Sequence, residues 1–141
     1  MTHTIPHYIK SNAKNHPKDI ALREKKFGVW KTKDWQQCLE EIENITLGLH
    51  AAGIIGKKTI AILGNNTPRW TLAEIAVQSL GSIPLGIYSD ALESEIIYLI
   101  DYSSCRVVFV EDEDQADKII SLSDSEAKID LIIYDEPKGM N

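Results

Sequence analysis

Several short stretches carry residue types that could do chemistry. Gly64-Asn65-Asn66-Thr67 follows an apolar run and precedes a helical pattern. Open parallel sheets gather ligands at such places, and helix N-terminal amides attract phosphate. There is no GxGxxG, however, and Pro68 removes one amide donor. Capping by Thr67 is therefore the favoured reading, with anion binding as the alternative. Glu111-Asp112-Glu113-Asp114 could offer oxygen ligands to Mg²⁺. Acids in a first helical turn also complement the helix dipole, and a solvated cap is the preferred reading. Gly53-Ile54-Ile55-Gly56-Lys57-Lys58-Thr59 resembles a P-loop superficially, but has two residues between its glycines instead of four and leads into a strand. A helix-to-strand turn is expected there. Among His3, His7 and His16 only the first pair has metal-like spacing, and nothing nearby in sequence would orient it. His50 falls in a last helical turn, where a cation is favoured. Ser121, Ser123 and Ser125 are interleaved with acids and lack glycine, which describes a solvated loop. No nucleophile and base can be paired, so no catalytic, cofactor-binding or metal-ligating residue is assigned.

The elements that would position these residues are centred on Thr59 to Tyr88. Thr59-Ile60-Ala61-Ile62-Leu63 has the length and β-branched content of a buried strand. Thr67 and Pro68 open a helix that runs to about Leu80 and stops at Gly81. Its apolar residues Trp70, Leu72, Ala73, Ile75, Ala76, Val77 and Leu80 surround the helix, so it should be buried on most sides. Ile83 to Ile87 returns as a strand, with Pro84 near its start. Strand, crossover helix and strand make a βαβ unit.

Upstream, Thr4 to Asn15 forms a short amphipathic helix carrying Ile5, Tyr8 and Ile9, ended by His16-Pro17. Ile20 to Arg23 and Phe27 to Thr32 read as a hairpin turning at Glu24-Lys25-Lys26. Thr32 is expected to cap a helix from about Lys33 to Ala52, with Trp35, Cys38, Leu39, Ile42, Ile45 and Leu49 spaced three and four apart. Downstream, Asp90 with Glu93 suggests a capping box, and Leu92, Ile96, Ile97, Leu99 and Ile100 a buried face. Cys105 to Val110 is a strand, Glu111 to Leu122 a helix and Asp130 to Tyr134 a last strand. Helices alternating with strands predict a parallel, doubly wound, three-layer α/β sheet. Glu136-Pro137-Lys138-Gly139 reads as a terminal turn that leaves the last strand uncovered, so the fold is expected to be incomplete as given.

With 141 residues, 43% of them hydrophobic, the chain has the size of one domain and can bury a sizeable core. A formal charge of −6 argues against nucleic-acid backbones or anionic lipid surfaces as main partners. Cys38 and Cys105 lie far apart and suit reduced core thiols of a cytoplasmic protein, with pairing left open. No apolar run approaches the roughly 20 residues of a membrane-spanning helix, which leaves peripheral membrane contact open.

The same residues resemble a family. Trp30-Lys31-Thr32 with Trp35, Leu47-Gly48-Leu49, Ala52-Gly53, Gly56 and Thr59 to Leu63 are similar to the opening of AMP-forming acyl-CoA synthetases. The likeness continues through Asn66-Thr67-Pro68-Arg69-Trp70, Ala73-Glu74, Gly81, Gly86-Ile87-Tyr88, Glu95 to Ile100 and Arg106 to Asp112. It covers roughly residues 5 to 135 and is nearest the bacterial long-chain fatty acid branch. The resemblance implies a two-step ligase using ATP, Mg²⁺ and coenzyme A. A fatty acid carboxylate attacks the α-phosphate to give acyl-AMP and pyrophosphate, and the CoA thiol then displaces AMP. The phosphate-gripping loop, magnesium glutamate, ribose aspartate and C-terminal lysine of that family all fall downstream of the matched region. Lys58 and Arg69 stand where the family usually has acids, and both should be exposed. Tyr98 stands where short-chain relatives have an arginine that contacts the CoA nucleotide, so that role is not carried over.

The resemblance implies that residues 1–141 are the N-terminal part of an AMP-binding adenylation domain, with a helix and hairpin over 1–32 and alternating units over 33–135. The chain alone should be inactive and bind no cofactor. Its expected partner is the remainder of the synthetase, or a second copy through the uncovered sheet. A different reading is a self-contained α/β binding or regulatory module that pairs with another chain. A small flavodoxin-like or Rossmann-type nucleotide protein is disfavoured by the absence of a glycine-rich phosphate turn.

Overall fold

The structure is a computed structural model that describes residues 3–122 and 128–135; the turn expected at Glu136 to Gly139 lies outside the described residues. The chain folds into two compact units that interleave in sequence. One contains the residues up to Gly56 together with Thr67–Gly81, and the other Lys57–Asn66 together with Ser82 onward.

In the first unit, α1 spans Ile5–Asn15, with the Thr4 hydroxyl accepting from the His7 N–H and Pro6 in the first turn. Strands β1 (Ile20–Lys26) and β2 (Val29–Asp34) pair antiparallel. The hairpin turns at Phe27-Gly28, immediately after the Glu24-Lys25-Lys26 expected. Those three residues instead pair with Lys31, Trp30 and Val29. Phe27 and Gly28 both have positive φ, 51° and 79°, as a two-residue type I′ turn requires.

Helix α2 (Trp35–Ala51) also starts later than expected. Thr32 and Lys33 are in the ladder, opposite Arg23 and Leu22, so Thr32 cannot cap. Asp34 does so: its Oδ1 accepts from the Gln37 N–H at 2.8 Å, while the Gln37 side chain accepts from the Asp34 N–H at 2.9 Å. That reciprocal pair satisfies two backbone donors at the helix entrance. The Gln37 N–H holds the Asp34 carboxyl below its ordinary value, with Lys18 assisting.

Helix α3 (Pro68–Ser79) has the expected ends: the Thr67 hydroxyl caps the Trp70 N–H, and Gly81 follows at φ 74°. Leu72, Ala73, Ile75, Ala76 and Val77 are buried, as the all-round apolar pattern predicts. Cys38 and Ile42 of α2 pack with Leu72, Ile75 and Ala76, joined by Ile9, Ala21, Leu22 and Ile45. Glu41 receives Lys33 Nζ at 2.5 Å and also pairs with Arg69, so exposed Arg69 has a structural role the sequence did not show.

The second unit is a four-stranded, all-parallel sheet in the order β4-β3-β5-β6, formed by Thr59–Gly64 (β3), Ile83–Tyr88 (β4), Val107–Val110 (β5) and Leu131–Tyr134 (β6). The parallel α/β architecture read from the alternating pattern is thus present. Pro84 lies in β4, at one end of the strand order, where a missing donor is tolerable. In β3 both alternating sets are buried, Ile60 and Ile62 as well as Ala61 and Leu63. One sheet face, formed by Ala61, Leu63, Ile87, Val108 and Val110, packs with Ile96 and Ile100 of α4 (Glu93–Ser103) and Ala116 and Ile119 of α5 (Glu113–Ser121).

Three local expectations fail here. Asp90 does not cap α4. Leu92 occupies the cap position, and the Glu95 side chain accepts from its N–H at 2.9 Å. Leu92 itself is 67% exposed, outside the buried face predicted for it. Helix α5 begins after Asp112, whose carboxylate caps the Gln115 N–H, so Glu111 lies outside the helix.

Candidate functional site

The sheet order contains a reversal. From β3 the chain crosses to β4 on one side, and β5 then pairs with β3 on the other. In open parallel sheets the crevice beyond the carboxyl ends of two such strands is the usual ligand position. Here that place is the loop after Gly64 and the residue after Val110.

Glu111 fills it. Its Cβ comes so near the Gly64 backbone that a Cβ on residue 64 would lie 2.8 Å away, which explains the need for glycine. Both donors of Asn65 converge on one carboxylate oxygen: the N–H reaches Glu111 Oε2 at 2.7 Å and the side-chain Nδ2 reaches it at 2.9 Å. Asn65 Oδ1 in turn accepts from Ser89 Oγ at 2.9 Å. Lys118 Nζ donates to the Ser89 carbonyl at 2.5 Å. One polar chain therefore ties the ends of β5, β3 and β4 to α5.

The loop weighed for anion binding does hold an anion, the carboxylate of Glu111. Its leading donors are engaged, and Thr67 is occupied with Trp70. The tetrad weighed for Mg²⁺ divides its labour: Glu111 clamps the loop, Asp112 caps α5, and Glu113 and Asp114 sit in its first turn. Among the described residues no three His, Cys, Asp or Glu side chains gather in a metal-like group. At this crevice the Asn65 N–H and Nδ2 already have an internal acceptor in Glu111.

The remaining candidates stay apart. Gly53 and Gly56 take positive φ of 82° and 79° in the helix-to-strand turn read for them. His3, His7 and Tyr8 form a small aromatic group, with the two imidazoles 5.1 Å apart. His16 faces Asp19 at 3.7 Å, and His50 is exposed at the end of α2. Tyr98 stacks on Tyr102 at 5.8 Å, both exposed. Ser121 Oγ donates to the Lys118 carbonyl, and Ser123 and Ser125 lie outside the described residues. Lys58 is exposed, as expected. Cys38 and Cys105 are both free and buried, and burial raises both thiols above their ordinary value. Ser89 and Lys118 were not singled out from the sequence. Only the rule that ligands and contacts collect at a switch point could have pointed to them.

A family model described as AMP-binding enzyme matches residues 9–140. The chain belongs to the AMP-binding enzyme family. Relatives of this AMP-binding enzyme chain include the human long-chain-fatty-acid–CoA ligase ACSBG2, 24% identical over 122 residues, covering 86% of this chain and 18% of that protein. The Drosophila melanogaster ligase heimdall is 22% identical over 134 residues, covering 92% and 20%. The chain thus spans about a fifth of the length of these curated relatives. Among solved structures, the N-terminal domain of FACL13 from Mycobacterium tuberculosis superposes with a TM-score of 0.82 at 19% identity, covering 95% of this chain and 34% of that one. The N-terminal subdomain of Klebsiella oxytoca NpsA gives 0.76 at 14%, covering 94% and 30%. At these identities the structures establish a shared fold.

Proposed function

We propose that this chain forms the N-terminal part of the adenylation domain of a long-chain fatty acid–CoA ligase. The reaction would convert ATP, fatty acid and CoA into acyl-CoA, AMP and pyrophosphate through acyl-AMP. The observation that carries this reading is the AMP-binding match over residues 9–140, combined with relatives named as long-chain-fatty-acid–CoA ligases. The role assigned to these residues is architectural. The sheet and its Glu111–Asn65–Ser89–Lys118 tie present a rigid wall, while ATP, Mg²⁺ and CoA would be held by residues outside this sequence. Positioning and charge stabilisation need groups that the described residues do not bring together, so no catalytic step is assigned to them. We place the parent enzyme in the cytoplasm, in line with two buried free thiols.

The test is pyrophosphate release from ATP with palmitate and CoA. The gene product that contains these residues together with the family's downstream motifs should release pyrophosphate and form the thioester. The 141-residue chain alone should do neither, and should bind ATP no more tightly than about millimolar. Pyrophosphate release by the short chain above a buffer blank would refute the architectural role. A full-length product that ignores fatty acids but adenylates another carboxylate would refute the substrate class.

A further inference from the structure

We propose that the β1–β2 hairpin is a membrane-docking arm that seats its tip in the interface of an anionic lipid bilayer. At its base, Ala21 and Leu22 pack into the core of the first unit. Beyond them the ribbon stands clear: residues 25–32 are all exposed, although alternate residues of a strand point to opposite faces. The tip is apolar. Phe27 is 96% exposed, and Val29 and Trp30 are each 63% exposed.

Phe27 occupies the first central position of the turn at φ 51°, where asparagine, aspartate or glycine are the residues favoured. A bulky aromatic at positive φ opposes the local backbone preference, and among the described residues Phe27 is left almost fully exposed. Its apolar ring is left for an apolar phase beyond the described residues to cover. Arg23, Lys25, Lys26 and Lys31 surround it against the single acid Glu24, a local reversal of sign in a chain of formal charge −6. The whole-chain charge therefore misjudges this surface, because lipid headgroups act within a Debye length.

The layering matches a bilayer better than a flat protein patch. Lys25 and Trp30 share one ribbon face, with Lys25 Nζ 6.0 Å from the indole ring centre, and Lys26 and Val29 share the other. Cations thus flank both faces. At about 3.3 Å per residue, Lys25, Lys26 and Lys31 lie on the order of 3–13 Å behind the tip. A side chain inserted about 5–10 Å to the acyl boundary would hold them at phosphate level. Indole rings favour that same interfacial zone.

The test is co-sedimentation of the full-length gene product with phosphatidylcholine vesicles, with and without phosphatidylglycerol, at low and high salt. This measurement needs no ATP or fatty acid, so its outcome is separate from that of the ligase reading. Binding is expected to anionic vesicles and to weaken with salt. Lys25→Gln, Lys26→Gln and Lys31→Gln should each lower the partition coefficient by about fivefold. Phe27→Asn should lower it several-fold while leaving the thermal midpoint unchanged or higher, since asparagine suits the turn. The opposed signs separate docking from folding. Absence of wild-type binding, equal binding to neutral vesicles, or unchanged binding by Phe27→Asn would overturn the proposal. So would a vesicle-free dimer that Phe27→Asn dissolves, which would assign the tip to a second copy of the chain.

Discussion

Replacing Glu111 with alanine should loosen the head of the β3–α3 loop without disturbing the sheet. Alanine retains the Cβ that approaches Gly64, so the perturbation is confined to the carboxylate. Two donors are lost from Oε2, the Asn65 N–H at 2.7 Å and Nδ2 at 2.9 Å. Hydrogen bonds to a charged acceptor contribute about 1.5–3 kcal/mol when well sheltered. Asn65 is exposed and Glu111 half-buried, so water can replace part of what is removed. A loss of about 1–2 kcal/mol follows for the pair together. Glu111→Gln keeps an acceptor and should lose about half as much. Urea unfolding gives the stability change, and amide exchange gives the local one. At about 1.4 kcal/mol per tenfold, the Asn65 amide should exchange on the order of tenfold faster in Glu111→Ala. A stability change below about 0.3 kcal/mol with unaltered Asn65 exchange would show that the carboxylate is idle and the clasp is only a contact.

Asp34 supplies a pH-dependent prediction. Its carboxyl is held below the ordinary 3.8, chiefly by the Gln37 N–H, so its contribution is full above that value and lost as pH falls through the folded one. Asp34→Ala should therefore flatten the acid limb of the stability curve and leave its alkaline limb unchanged, measured by thermal midpoint between about pH 2 and 8. For the cysteines, burial raises both thiols, so Cys38 and Cys105 should resist iodoacetamide near neutral pH until the chain unfolds. Labelling followed by mass spectrometry against urea should rise with the unfolding transition; rapid native labelling would contradict the burial.

What was legible from sequence was whatever neighbouring residues decide among themselves. Thr67 with Pro68 starts α3 and Gly81 ends it, because capping and positive φ are properties of a few adjacent residues. The apolar run at Thr59–Gly64 and the spacing in α2 likewise announce which faces are buried. The misplaced boundaries share one cause. Thr32 is a good cap in isolation, but pairing with Arg23 holds it in β2, and Asp34 then caps with help from Gln37. Similarly, Glu24-Lys25-Lys26 has turn-like polarity yet finds cross-strand partners, which moves the turn to Phe27-Gly28.

The sequence by itself therefore determined the parallel α/β architecture, the order of its elements and the absence of a glycine-rich phosphate loop. Local hydrogen-bonding and burial preferences suffice for those. Only the tertiary structure decided what the polar residues do. Glu111 reads in sequence as one more first-turn acid, but it precedes the helix, and the strand order that brings the ends of β3 and β5 together makes it the partner of Asn65, 46 residues away. Ser89 and Lys118 join that tie for the same reason. Directional contacts between distant residues depend on which strands become neighbours, and strand order is settled by packing of the whole sheet.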